Sequence, residues 1–188
     1  MYAFKSTVLI FCLVSIIFAD NVNMDTSSSL QKTRIQFDPI GIFFGDIYLN
    51  VEYKFQPKVA VSIDGKYTLP FFGGSGYGIC TNFRRYYSQK TFWGVYTKFG
   101  LLKTPYEATE GSSTFTLENK YVSAGLNWGK VWLLKNKYSI IFRAGGGYPI
   151  YNNLIWVGGN KPEYYKLAEG VTFLTNCLDG ELSFGLTF

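Results

Sequence analysis

Nine charged side chains recur at strand-like spacing along this chain, and they limit the chemistry it can do. Glu52 and Lys54, and likewise Asp64 and Lys66, stand two residues apart, so each pair shares one face of an extended segment. Arg34, Asp38, Lys98, Arg143 and Glu181 fall on the polar faces of other alternating segments. Cations and carboxylates gathered on one face can pair and hydrogen-bond, and two carboxylates can also share acid–base work. No spacing here sets two carboxylates together at an outer rim, and the chain has no His. That removes His-based acid–base chemistry, Ser–His and Cys–His dyads and the commonest metal ligand. The sequence predicts no catalytic residue, no cofactor and no metal, and Glu52 and Asp64 read as charges partnered by Lys54, Lys66 or Arg143.

The elements that position these residues are strands. Hydrophobic residues make up 47% of the 188-residue chain, charged residues 16% and aromatics 19%, with 20 Gly. That composition excludes disorder and favours β-structure in a single domain. The alternation is clearest over 47–55, 59–67, 93–103, 121–132 and 181–188. Three less regular stretches, 33–44, 78–87 and 138–151, bring the expected count to about eight antiparallel strands. Pro39 is expected to introduce a bulge, and adjacent Arg84 and Arg85 cannot both face one side. Tight turns are predicted at 56–58, 88–91 and 134–137, and longer loops at 69–77, 104–116 and, longest, 152–176. Only the first connection on the long-loop side, at 45–46, is short.

Alternation alone fits two barrels, one with its apolar face inside and one with that face outside. The apolar face carries Tyr53, Tyr67, Trp93, Trp128 and Trp132, many near strand ends, where rings suit a bilayer interface. The opposite face mixes both charge signs and small Gly residues, which suits a narrow interior. Loop sorting by length agrees with short periplasmic turns and longer outer loops. The expectation is an up-and-down transmembrane barrel over 33–188 with the nine charges in its lumen. A soluble exported barrel for an apolar ligand is the alternative; barrels of the lipocalin kind carry Gly-x-Trp near the start and a helix near the end, and neither is read here. A His-free lipid-acting enzyme is the other.

The N-terminus reads as an address. Lys5 precedes the apolar run 7–18, and Ala19 precedes a polar stretch. This is the order of a secretory signal peptide, predicted as 1–19, with 20–32 a flexible periplasmic leader. The run falls short of the roughly 20 residues a spanning helix needs. Cys12 sits in mid-run with no small residue before it, which argues against a lipid-attachment site. Cys80 and Cys177 remain in the mature chain, with free thiols expected slightly ahead of a bridge. A net charge of +5 without a dense basic run gives no reason to expect nucleic acid.

The chain ends in alternating Phe184, Leu186 and Phe188, which resembles the assembly signal of bacterial outer-membrane proteins. The stretch 37–45 (FDPIGIFFG) followed by Val51-Glu52-Tyr53 is similar to the opening hairpin of a family of small outer-membrane barrels of unknown function, related to OmpA/OmpX-like barrels. Arg85-Tyr86-Tyr87, Gly94-Val95-Tyr96 and Gly145-Gly146-Gly147-Tyr148 follow in that family's order. The resemblance spans 33–188 and implies the outer membrane of a Gram-negative-type bacterium, with lipid and the barrel-insertion machinery as partners. It implies no reaction. Trp156, Tyr164 and Tyr165 in the longest loop are candidate contacts for an extracellular protein or glycan.

Overall fold

The computed structural model describes residues 33–43, 45–70, 74–88, 90–107, 114–134, 137–158 and 165–188. The expected signal peptide and leader, and Tyr164, lie outside these residues. Eight strands, β1 (Thr33–Phe37), β2 (Asp46–Gln56), β3 (Val59–Thr68), β4 (Ser75–Tyr86), β5 (Thr91–Glu107), β6 (Thr114–Leu134), β7 (Tyr138–Val157) and β8 (Leu178–Thr187), form a closed antiparallel barrel in sequence order. β1 closes on β8 in register, Ile35 opposite Leu186 and Phe37 opposite Phe184. At the same end, Phe188 and Thr33 exchange backbone hydrogen bonds of 2.8 and 3.2 Å. The chain end is therefore part of the closure.

Burial is inverted relative to a water-soluble barrel. Along β2 the fully buried side chains are Asn50 and Glu52, while Leu49, Val51, Tyr53 and Phe55 stand outside. The same holds around the wall: Arg84 is 0% exposed and Glu52 1%, whereas Ile63 is 55% and Leu126 62% exposed. An eight-strand barrel is just wide enough for side chains to fill it. The exception is the end where Thr33 and Phe188 pair, where Ala60, Tyr86, Phe92, Val131 and Ile141 form a small apolar plug. Val59, expected to face outward, is buried there too; it opposes Gln56 across a bulge at Phe55, where local twist is increased.

Pro39 opens a one-turn helix, α1 (Pro39–Phe43), instead of a bulge. Asp38 Oδ1 accepts from the amides of Ile40 and Gly41 at 2.8 and 3.0 Å, the geometry of an N-cap, and Pro suits the first helical position. Gly45, with φ of 82°, ends the turn in the left-handed region, its amide bonded to Ile42 O at 3.1 Å.

The long-loop end also differs from expectation. β5, β6 and β7 run 17, 21 and 20 residues, while β2, β3, β4 and β8 run 10 to 12. β4 begins at Ser75 opposite Lys103, and β8 begins at Leu178 opposite Gly146. Beyond those points the three long strands pair only with one another, as a ribbon projecting past the rim. Residues 104–107 and 114–116 of one expected loop, and 152–157 of the other, are thus strand. The last connection carries a second helix, α2 (Tyr165–Cys177). Its apolar residues recur at helical spacing, Leu167, Ala168, Val171 and Leu174. A helix near the C-terminus therefore exists after all, although it precedes the last strand.

Candidate functional site

The lumen holds one continuous ion chain that joins six strands. Glu52 on β2 receives Arg34 Nη1 on β1 at 2.6 Å and Arg84 Nη1 on β4 at 2.7 Å. The Tyr86 hydroxyl lies 3.0 and 2.9 Å from the two Glu52 oxygens. Arg84 Nη2 reaches Glu181 on β8 at 3.2 Å. Arg143 on β7 reaches the same Glu181 oxygen at 2.9 Å, and Asp64 on β3 and Asp179 on β8 at 2.9 Å each. Three guanidiniums thus face four carboxylates, all nearly excluded from solvent. Such charges are tolerable only when paired and hydrogen-bonded. Amides and a hydroxyl complete the set: Asn82 and Asn50 donate to Asp64, Asn127 donates to Asp179 at 2.8 Å and to Asn82 at 2.6 Å, and the Ser183 hydroxyl donates to Glu181 at 2.6 Å.

β5 and β6 supply space and rings instead of charge. The Arg84 guanidinium stacks 4.7 Å from the Phe92 ring centre. Phe92 in turn fills the room left by Gly129: a Cβ there would lie 2.3 Å from its ring and 2.9 Å from the Phe142 carbonyl oxygen. Gly129→Ala is therefore expected to destabilise the barrel by about 1–3 kcal/mol through overpacking. Urea unfolding of the refolded protein measures this. Phe92→Leu in the same chain should recover only part of the loss, because the carbonyl remains in the way.

Of the nine charges expected in the lumen, Arg34, Glu52, Asp64, Arg143 and Glu181 belong to this chain of ion pairs. Lys54 lies at its inner edge, its ammonium 4.0 Å from the Tyr86 ring centre. Asp38 spends its carboxylate on capping α1. Lys66 is exposed at the rim on the α2 side and pairs with Asp46 at 2.6 Å, not with Asp64. Lys98 is half-buried above the network and donates to the Leu178 carbonyl at 2.6 Å. The sequence reading did not place Tyr86 or Asp179 in the lumen. It left Arg84 and Arg85 undecided; Arg84 opposes the small Ala60 and Gly94 and turns in, while Arg85 opposes Val59 and Trp93.

On the outside, Tyr53, Tyr67, Trp128 and Trp132 are exposed and Trp93 is partly so. Trp128 Nε1 donates to the Tyr87 hydroxyl at 2.7 Å. Phe184, Leu186 and Phe188 also point outward.

At the end of the barrel where β5, β6 and β7 project, α2 leans on the ribbon. A bulge at Ile150 opposite β6 shifts the facing of β7, so that Asn152 and Leu154 turn toward the helix. Asn176 donates to Asn152 at 3.0 Å and is bonded to Asn119; the Tyr165 hydroxyl donates to Leu154 O at 2.7 Å; Phe173 meets Tyr148 edge-on at 6.2 Å. Trp156, expected in a loop, lies on β7, and Tyr165 opens the helix. Cys80 faces the lumen, Cys177 ends α2, and both are free thiols.

No protein-family model matches the chain, and neither a curated protein nor a solved structure matches it.

Proposed function

We propose that this chain is a non-enzymatic outer-membrane barrel that presents α2 and the projecting ribbon to the cell exterior as an interaction surface. The observation that carries the reading is the inverted burial: paired charges within, an apolar wall without. In water such a wall would be a large exposed apolar surface; against lipid chains it is at home. Spacing supports it. Tyr138 and Tyr148 lie ten residues apart on the outer face of β7. At about 3.4 Å per residue and a tilt of about 40°, they are separated by roughly 26 Å along the barrel axis, close to the height of an outer-membrane apolar band.

The remaining features agree with this placement. A packed lumen leaves no open pore, and its described carboxylates are occupied by guanidiniums and amides, which supports a structural role for them. The order of charge, apolar run and small residue at the N-terminus supports export, and the alternating C-terminal strand supports recognition by the insertion machinery. The exposed exterior aromatics are assigned to the two lipid–water interfaces.

Membrane fractionation with a heat-shift gel tests the reading. The protein is expected in the detergent-extracted membrane fraction, to run faster unboiled than boiled, and to begin at Asp20 on N-terminal sequencing. Release by osmotic shock without detergent would overturn the membrane assignment in favour of a soluble exported barrel.

A further inference from the structure

The geometry points to a second feature of the outer end: a binding site for a single-chain amphiphile with a monoanionic carboxylate head, between α2 and the inner side of the projecting ribbon. A cavity of about 720 Å³ opens there above the ion chain. This volume is in the range of small-molecule sites. Its floor is polar, set by Arg143, Asp64 and Asp179, and its upper walls are apolar. Leu102, Leu117 and Leu154 come from the strands, and Leu167, Ala168 and Val171 come from α2. Leu167 and Val171 are 70% and 51% exposed, so the helix turns apolar groups into an open space. An alkyl chain would cover them.

The head group follows from the charges at the base of that space. Lys66 is held by Asp46, and Arg143 by three carboxylates. Lys98 makes no ion pair among the described residues. Its ammonium donates to Leu178 O at 2.6 Å and lies 5.6 Å from the Tyr121 ring centre. A lysine has three donors, so it can still bind a ligand anion. Asp179, the nearest carboxylate in sequence to Leu178, is already bonded to Arg143 and Asn127. Of the three cations that line the cavity, Lys66, Lys98 and Arg143, Lys98 alone has no carboxylate at ion-pair distance among the described residues, so a single anionic head has one ammonium to meet. Asp38, Asp46 and Asp179 line the same cavity and repel any anion, a dianion about twice as strongly as a monoanion, so the head carries a single charge. An alkanoate satisfies both halves, its carboxylate on Lys98 and its chain against α2.

This inference does not depend on a membrane setting. The test is calorimetric titration of octanoate into the full mature chain in phosphatidylcholine nanodiscs, with empty discs subtracted, or in buffer if the chain proves soluble. Saturable binding of one octanoate per chain is expected. Octan-1-ol should bind at least tenfold more weakly. Lys98→Gln should weaken octanoate at least tenfold and leave octan-1-ol unchanged. Ala168→Trp, which fills the cavity from the helix side, should abolish binding of both. Each variant is first shown to fold by its heat shift. Binding no greater than to empty discs, or a Lys98→Gln chain that binds octanoate like the parent, overturns the site. A chain released without detergent that still binds octanoate sinks the membrane reading alone; a membrane-embedded chain without saturable binding sinks this site alone.

Discussion

Replacing Arg143 by methionine is expected to destabilise the barrel by about 3–5 kcal/mol, the range for removing one partner from a buried ion network. Arg143 is the junction of the lumen: three carboxylates, Asp64, Asp179 and Glu181, lie within 2.9 Å of its nitrogens. Methionine keeps much of the volume and the flexible stem, so the loss is one of charge, not of packing. Glu181 retains Arg84, but Asp64 and Asp179 are left with neutral donors only among the described residues, amides and, for Asp64, the Ser62 hydroxyl. Urea unfolding of the refolded protein, followed by tryptophan fluorescence, measures the effect. Neutralising the stranded carboxylates in the same chain, with Asp64→Asn and Asp179→Asn, should return a large part of the loss, because the cost lies in uncompensated charge. Lys66→Met is the contrast. Its ion pair with Asp46 sits at the rim, half exposed, and its removal should cost under about 1 kcal/mol. An Arg143→Met chain as stable as the parent would show that the ion chain does not hold the lumen together.

The strands were legible because one face of each must differ from the other in whichever solvent surrounds the wall. Period two survives in β2 and β8 almost residue for residue, and in β3 over 60–65. Charge position was legible where no second charge of the same sign stood on the adjacent residue. Adjacent Arg84 and Arg85 carry equal signals, and their facing is decided by what lies across the ladder, small Gly94 and Ala60 against bulky Trp93 and Val59. Register between strands distant in sequence is not written in either strand alone. Asp179 was missed for a related reason: it lies two residues beyond α2, in a stretch read as loop passing into strand, although its spacing of two from Glu181 marks the same face. Pro39 reads equally as a bulge or as a helix start, and only the capping bonds of Asp38 separate the two. The helical period of α2 was present in Leu167, Ala168, Val171 and Leu174, but Gly170 and the β-branched Val171, Thr172 and Thr175 weakened it as a helix signal.

The outward face offers the strongest separation of membrane from water. Ala144 on β7 is exposed and lies between Tyr138 and Tyr148, six residues from one and four from the other. Its ladder neighbours are Trp128 on β6 and Gly180 on β8, so a long side chain there meets no crowded interior. For a barrel in water, Ala144→Arg is a surface change and should alter stability by no more than about 0.5 kcal/mol. For a barrel in lipid, the same residue sits near mid-bilayer, where arginine costs about 2–4 kcal/mol. The two settings predict different sizes from one substitution, and the charge is added without removing any packed group. Ala144→Leu should have no such cost in lipid, because lipid chains are as apolar as leucine. Unfolding in phosphatidylcholine vesicles against the parent chain reads the difference. A loss of about 2 kcal/mol or more for arginine, absent for leucine, is the expected result. Equal stability of the arginine chain and its parent in those vesicles would mean that this wall does not face lipid, and the apolar exterior would then require a protein partner to cover it.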